Sequence, residues 1–409
     1  MKRCLRFLAT SAALLGAVSF VRPRARGGEA LLWLPKLLAG ALVPVSGLSG
    51  ALAALAGAAR RDWVSAGIGA LAVGLAAKLA GDIPDVDRAL AALPERAGPS
   101  DGPERKGAAA PPRPRVWRDL AIGRSAAGGE LRADLWPPAG GAPSGIGIVY
   151  AHGSAWRVGD KDKGTRTFFR RLSAQGHLVL DVAYTLWPRA TLPQMVAEVN
   201  RAILWLKEHG YEYGARADRV VLMGGSAGGH LVLLAAYAPD QPAFRPEGVS
   251  GDTSVRGVVA FYPPVDLAAM QGESGGDSSR QLDRVSRAVA EQLFAIRDEA
   301  GRRRVSADIL AEMLGGSPAE VPDTYRLLSP SAYAGAGSPP TLLLQGTDDV
   351  FGMAPDVRRM HESLCAAGVP AVLLEFPHTE HAFDIILPAI SPVSRASTRA
   401  VERFLAWLR

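Results

Sequence analysis

Residues 220–230 read Val-Val-Leu-Met-Gly-Gly-Ser-Ala-Gly-Gly-His, a short apolar run that ends in small residues around Ser226. Positions 224–228 match the pattern Gly-x-Ser-x-Gly, and an apolar helical run follows over 231–238. A strand, a tight turn and a helix in this order form a nucleophile elbow, in which small neighbours allow a strained serine to approach the helix. The free N–H groups at the start of that helix suit an anionic oxygen. The stretch therefore predicts that Ser226 is a nucleophile, rather than part of an ordinary glycine-rich turn.

Strands and helices alternate on both sides of this stretch. The predicted strands are 116–122, 130–136, 145–150, 177–183, 219–223, 255–261, 341–344 and 371–376. Helical patterns separate most of them, so we expect an α/β fold with a mostly parallel eight-stranded sheet covered on both faces. Residues 266–330 break the rhythm with a Gly/Ser stretch and a charged helix over about 279–315. We interpret this segment as a helical cap insertion over the site.

Three loops that follow predicted strands carry further chemical groups. The first reads His-Gly-Ser-Ala-Trp at 152–156, and its backbone N–H groups at Gly153 and Ser154 could join that of Ala227 as an oxyanion hole. The second reads Gln-Gly-Thr-Asp-Asp at 345–349, and the third His-Thr-Glu-His at 378–381. A serine hydroxyl needs an adjacent base, and an imidazole needs a carboxylate that fixes its tautomer. The chain order Ser, Asp, His therefore predicts a catalytic triad.

From residue 116 to 409 the sequence resembles the α/β-hydrolase fold, and within it the esterase branch of hormone-sensitive lipase, kynurenine formamidase and prenylcysteine methylesterases. The resemblance rests on HGSAW at 152–156, GDK at 159–161, DVAYTLWP at 181–188, ADRVVLMGGSAGGH at 217–230, QGTDD at 345–349 and HTEHAFD at 378–384. It implies that Ser226 is the nucleophile, Asp349 the acid and His381 the base.

The same resemblance decides between neighbouring candidates. Spacing from Gly346 selects Asp349 over Asp348, and the following Ala-Phe selects His381 over His378, which we interpret as a polar loop residue. Two positions depart from the family pattern. Ser154 stands where the family usually has glycine, so we expect a loop without positive φ there or a displaced oxyanion donor. Gln345 stands where a histidine is common, and we expect it to affect only packing.

The first 82 residues do not have the pattern of a globular fold. Apolar runs occupy 5–21, 37–59 and 63–80, and the middle run carries no charge over 23 residues, which is long enough to span a bilayer. We interpret 1–82 as an all-α membrane region with two or three spanning helices. The first run could instead be a cleaved signal peptide. Pro- and Gly-rich residues 83–115 form the predicted linker to a catalytic domain over 116–409.

Charge and cysteine content restrict the function classes. The net charge is +6, with 17 Lys/Arg against 8 Asp/Glu in residues 1–118 and 29 against 32 in the rest. This basic excess flanks the apolar runs, and no basic stripe with interleaved aromatic residues follows, so we expect no nucleic-acid partner. Two cysteines make neither a disulfide framework nor a metal site, and no metal or organic cofactor is expected.

These observations predict a serine carboxylic ester hydrolase that works through an acyl-enzyme, with apolar esters near a membrane as substrates. We expect an integral membrane protein with its anchor at the N-terminus. Two spanning helices would place the catalytic domain on one side of the membrane, and three would place it on the other. An amidase or formamidase of the same fold is one alternative, and a catalytically inactive membrane-anchored binding protein is another. Because the linker separates the two regions, a chain that begins near Arg115 is expected to be soluble and active.

Overall fold

The computed structural model describes residues 2–22, 28–95, 115–139, 142–162, 164–272 and 309–409. Contacts divide the chain into two compact units. The first comprises Met1–Ala89, Leu344–Ala354 and Leu374–Ala400, and the second comprises Leu90–Leu343, Pro355–Leu373 and Val401–Arg409. The first unit therefore contains the apolar N-terminal helices together with two segments from the C-terminal part of the sequence.

The described N-terminal residues form five helices. They are α1 (Lys2–Val18), α2 (Gly28–Ala41), α3 (Val43–Ala59), α4 (Trp63–Gly81) and α5 (Val86–Leu90). The uncharged run at 37–59, expected as a single span, is divided between α2 and α3, which meet at a 71° bend. Pro44 lies in the first turn of α3, where its missing N–H and its ring prevent α2 from continuing. Among the described residues, the segment Trp63–Leu90, which contains α4 and α5, is long and apolar enough to cross a membrane, and α2 and α3 together would form a second, bent span.

Helices α1, α3 and α4 pack through small residues and present large apolar residues outward. Ala12, Gly50 and Ala72 are among their buried positions, whereas Leu55 is 71% exposed and Phe7 is 76% exposed. Gly50 and Gly69 allow α3 and α4 to touch: a Cβ on Gly69 would lie 2.5 Å from the Gly50 carbonyl oxygen. Small residues inside and large apolar residues outside are typical of helices that pack in lipid.

Eight strands of the described residues form one sheet. They are β1 (Trp117–Arg124), β2 (Glu130–Trp136), β3 (Gly145–Ala151), β4 (Leu178–Ala183), β5 (Ala215–Gly225), β6 (Gly257–Phe261), β7 (Thr341–Gly346) and β8 (Ala371–Phe376). Their order is β1-β2-β4-β3-β5-β6-β7-β8. Pairs β1–β2 and β2–β4 are antiparallel, whereas β3–β4, β3–β5 and β5–β6 are parallel. The predicted mostly parallel eight-stranded sheet is confirmed.

The helices that follow β3 are α6 (Arg166–Ala174), α7 (Leu192–His209), α8 (Ala227–Tyr237), α9 (Leu267–Gly272), α10 (Ile309–Leu314), α11 (Pro322–Leu327), α12 (Ala354–Ala366) and α13 (Pro392–Leu408). Short 3-10 helices lie at Gly210–Tyr213, Pro242–Phe244 and Pro330–Ala332. Every residue of β3, β6 and α8 is buried, which explains why their sequences are continuously apolar or small. Of the predicted cap, only α9 and the residues from 309 onward are described; most of its charged helix lies outside the described residues.

Candidate active site

Ser226 lies between the last residue of β5 and the first residue of α8. Its φ of 53° and ψ of −123° are strained values for a residue with a side chain. The turn is held from both sides, because the Ser226 N–H donates to the Phe261 carbonyl at 2.9 Å and the Ser226 carbonyl accepts from His230 N–H at 2.9 Å. The strand, the strained serine and the helix have the geometry of a nucleophile elbow.

Glycine is needed at this elbow because backbones meet there without room for a side chain. A Cβ on Gly228 would lie 2.0 Å from the Ala151 carbonyl oxygen, and one on Gly153 would lie 2.9 Å from that of Gly225. The same added Cβ on Gly153 would lie 3.3 Å from the Ser226 Cβ. The loop after β3 therefore lies directly against the serine, at the place where the sequence predicts oxyanion donors.

The loop after β3 turns with left-handed backbone angles at three consecutive residues that are not glycine. Ser154, Ala155 and Trp156 have φ values of 88°, 53° and 60°. Of the two alternatives expected for Ser154, the loop without positive φ is wrong, because the chain keeps the conformation that glycine favours and tolerates a serine in it. The other alternative, a displaced oxyanion donor, stays a prediction. Trp156 is buried against the imidazole of His230, with ring centroids 5.2 Å apart, and this packing supports the strained turn.

A buried histidine and a tyrosine hold the start of this loop. The Nδ1 of His152 lies 2.8 Å from the Gly153 carbonyl oxygen, and the Tyr184 hydroxyl donates to the His152 carbonyl at 2.9 Å. The two rings stack with centroids 4.6 Å apart. Burial lowers the pKa of His152 to about 4, so this imidazole is neutral at pH 7 and donates to Gly153 as a fixed dipole. Tyr184, which belongs to the motif at 181–188, thus stabilises the predicted oxyanion loop.

In the other unit, the Asp349 carboxylate and the His381 imidazole form a buried pair. Nδ1 of His381 lies 2.8 Å from Asp349 Oδ2, and the other carboxylate oxygen accepts the Phe351 N–H at 2.9 Å. An ionised carboxylate only accepts hydrogen bonds, so Nδ1 carries the proton and Nε2 of a neutral ring is the basic nitrogen. The ring of Phe351 meets the imidazole edge-on, with centroids 4.7 Å apart.

The loops that carry this pair are joined by backbone hydrogen bonds. The Thr347 N–H donates to the Phe376 carbonyl at 3.0 Å, and the Asp348 N–H donates to the Thr379 carbonyl at 3.1 Å. A Cβ on Gly346 would lie 2.3 Å from the Thr379 carbonyl oxygen, so only glycine permits this approach. Strands β7 and β8 are thus followed by loops that touch directly and carry Asp349 and His381, the predicted acid and base.

The neighbouring candidates, Asp348 and His378, face the N-terminal helices of the same unit. Asp348 Oδ2 lies 3.2 Å from Lys36 Nζ, and the His378 ring lies 4.5 Å from that of Phe20. Gln345, expected to affect only packing, donates from Nε2 to Asp349 Oδ2 at 3.0 Å, so that expectation is wrong. Lys36 was not identified from the sequence as a residue near the candidate site. The signal was available, because Lys36 is the one charged residue in 31–59.

The predicted site residues therefore lie in two groups. Gly153, Ser154, Ser226 and Ala227 belong to the second unit, where Ala227 begins α8 and has an N–H with no acceptor in its own helix. Asp349 and His381 belong to the first unit and are hydrogen-bonded to each other. That the two groups act together as a triad with an oxyanion hole stays a prediction.

Comparison with known proteins gives consistent matches. Residues 133–362 match the BD-FAE family model, and residues 325–409 match the dienelactone hydrolase family model. The chain is 30% identical to the probable carboxylic ester hydrolase LipM of Mycobacterium tuberculosis, over 97% of this chain and 91% of LipM. It is 27% identical to esterase LipQ of that organism, over 68% of this chain and 59% of LipQ. Its fold is similar to that of Thermogutta terrifontis esterase 2, with a TM-score of 0.54, 20% identity and coverage of 72% and 94%.

Proposed function

Because this chain belongs to the BD-FAE family and is a carboxylic ester hydrolase of the α/β-hydrolase type, we propose that Ser226, His381 and Asp349 are its catalytic triad. The strained backbone of Ser226 is the observation that carries the proposal. Such strain is retained where the surrounding structure holds it, and an elbow of this kind exposes a serine oxygen at the strand end.

The proposed reaction proceeds through an acyl-enzyme. Ser226 Oγ attacks the ester carbonyl carbon while Nε2 of His381 takes the hydroxyl proton, and Asp349 stabilises the imidazolium that forms. The carbonyl oxygen becomes an oxyanion on the N–H groups of Ala227, Gly153 and Ser154. The carbon–oxygen bond to the alcohol then breaks, and the imidazolium gives its proton to the leaving alkoxide. A water molecule then attacks the carbonyl carbon of the acyl-enzyme with the same proton transfers, and the carboxylic acid is released.

The experiment is hydrolysis of p-nitrophenyl butyrate by the full-length chain, together with labelling by a fluorophosphonate. Ser226→Ala is expected to lower kcat by about 10⁴-fold or more and to abolish labelling, because the other triad members cannot supply a nucleophile. Ser363→Ala, at an exposed serine of α12, is the control and should keep both. Full activity in Ser226→Ala would refute the serine mechanism. Parallel assays with the matching p-nitroanilide distinguish an esterase from the amidase alternative.

We also propose that the N-terminal helices anchor the enzyme in a membrane and that its esters are apolar. The proposal is supported by the apolar segment Trp63–Leu90, which contains α4 and α5, and by the large apolar residues on the outside of α1, α3 and α4. Esters that partition into the bilayer would then be concentrated beside the enzyme. Carbonate washing of membranes tests the anchor, since recovery of the full-length chain in the soluble fraction would contradict it. Activity that increases with acyl-chain length would support the substrate class.

A further inference from the structure

One buried ammonium group contacts the neighbours of both the acid and the base. Lys36 Nζ lies 3.2 Å from Asp348 Oδ2 and 3.5 Å from Glu380 Oε1. Asp348 precedes Asp349 in the chain, and Glu380 precedes His381. The Lys36 side chain is 5% exposed and the two carboxylates are 6% and 2% exposed. A single nitrogen from α2 therefore links the loop that carries Asp349 to the loop that carries His381.

Because the Lys36 ammonium group is buried, its position and that of its carboxylate partner are closely restricted. A buried charge without a partner is strongly unfavourable, so Lys36 and Asp348 each restrict where the other can lie. Burial raises the pKa of Glu380 to about 8, against the opposing effect of the Lys36 charge, so this carboxyl is largely protonated at pH 7. Asp348 is then the main counter-charge of Lys36. Moving the Asp348 carboxylate would also move the adjoining Asp349 backbone.

Other contacts from the same helices reach the same loops. The Trp33 indole Nε1–H donates to the His381 carbonyl at 3.3 Å, which places a second residue of α2 on the residue that carries the base. Arg22 lies 3.5 Å from Asp348, and Asp82 lies 3.6 Å from His378 Nε2. Among the described residues of the N-terminal region, Lys36, Arg22 and Asp82 are thus the charged groups that contact these loops.

We propose that Lys36 is a positioning residue for the acid–base pair, assisted by Trp33, so that the N-terminal region is part of the catalytic apparatus as well as an anchor. This inference rests on the proposed triad. It reverses the expectation for a chain that begins near Arg115, because such a chain lacks the ammonium and indole groups that hold both loops. The similarity to LipM over 97% of this chain, N-terminal region included, agrees with one functional unit.

The test compares Lys36→Met, Lys36→Arg and Trp33→Phe in the full-length, detergent-solubilised protein. Lys36→Met is expected to lower kcat for p-nitrophenyl butyrate by about 10- to 100-fold with KM changed less than about threefold, because the base is misplaced while the substrate pocket is not. Lys36→Arg keeps the charge and should recover most of kcat. Trp33→Phe keeps an aromatic ring at this position but removes the indole N–H, and its kcat should fall about threefold to tenfold through the missing hydrogen bond.

A pH profile separates positioning from general destabilisation. Without Lys36 the Asp348 charge is no longer neutralised, so the acid limb of kcat/KM should move to higher pH by about half a unit. Arg399→Met removes the ion pair that joins α13 to Asp87 of α5 and should leave kcat and the profile unchanged. If Lys36→Met fails to fold, Trp33→Phe decides the matter, because the inference expects that variant to lose activity. Wild-type kcat in whichever of Lys36→Met and Trp33→Phe folds would overturn the inference, while an inactive Ser226→Ala protein would still support the triad.

Discussion

Gln345 Nε2 donates to the same Asp349 oxygen, Oδ2, that accepts from His381, at 3.0 Å and 2.8 Å respectively. Gln345 is fully buried at the end of β7, and its Nε2 also donates to the Gly346 carbonyl at 3.0 Å. The amide therefore fixes the direction in which the carboxylate faces the imidazole. Gln345, which stands where a histidine is common in the family, is thus expected to orient the proposed acid.

Gln345→Met tests this role. Methionine has a similar volume and no donor, so we expect kcat to fall about tenfold, which is the effect of losing a hydrogen bond to a charged group at the low end of its usual range. KM should change little, because the Gln345 side chain is fully buried. Gln241→Met, at a half-buried glutamine in a loop after α8, is the control. An unchanged kcat in Gln345→Met would mean that the other contacts of Asp349 suffice.

Replacement of the adjacent residues Asp348 and Asp349 by asparagine should lower kcat by different amounts and for different reasons. Asp349→Asn is expected to lower kcat by about 10⁴-fold, because an amide can hold the imidazole in the wrong tautomer. Asp348→Asn should cost much less and resemble Lys36→Met, because it breaks the ion pair with Lys36 and leaves the pair at Asp349 intact. Kinetics of both variants with one ester are sufficient. A larger loss in Asp348→Asn would show that the loop assignment is shifted by one residue.

The sequence predicted what depends on local pattern and missed what depends on distant contacts. Strand and helix alternation, the small residues around Ser226 and the carboxylate at Asp349 are all encoded within a few residues of each position. Lys36 and Asp348 are 312 positions apart, so no periodicity or motif indicates that they meet. The expectation of negative φ at Ser154 was wrong for another reason, because the buried packing of Trp156 overrides the local backbone preference.

Ser154→Gly should be stabilising. At φ 88° a side chain is strained, and glycine relieves about 1 kcal/mol of that strain, part of which is offset by the greater freedom of glycine in the unfolded chain. We expect a higher Tm with kcat within about twofold, since the backbone N–H stays in place. The comparison is Ser254→Gly, at an exposed serine without positive φ, which should lower Tm. A lower Tm in Ser154→Gly would indicate that the serine side chain makes a contact that outweighs the strain.

Glu380 should make stability fall as pH rises. Burial raises the pKa of this carboxyl from its ordinary 4.5 to about 8, so the folded state binds its proton more tightly than the unfolded state. Between those values the folded protein holds the extra proton, and stability decreases until the pH exceeds about 8. Glu380→Gln removes the titration, and its Tm should exceed the wild-type value at pH 8.5 by more than at pH 5. Equal differences at both pH values would show that Glu380 ionises normally in the folded protein.

Two glycines of α4 should respond to alanine in opposite directions. A Cβ on Gly69 would lie 2.5 Å from the Gly50 carbonyl oxygen and 2.6 Å from the Ala54 nitrogen, so α3 and α4 must separate. At Gly67 no atom lies within 4 Å of the added carbon, and alanine favours a helix over glycine by about 1 kcal/mol. Gly69→Ala should therefore lower the Tm of the detergent-solubilised protein, whereas Gly67→Ala should maintain or raise it. Because the same bundle carries the Lys36 helix, kcat should fall with Gly69→Ala and stay constant with Gly67→Ala. Similar behaviour of the two variants would mean that α3 and α4 do not pack through Gly50 and Gly69.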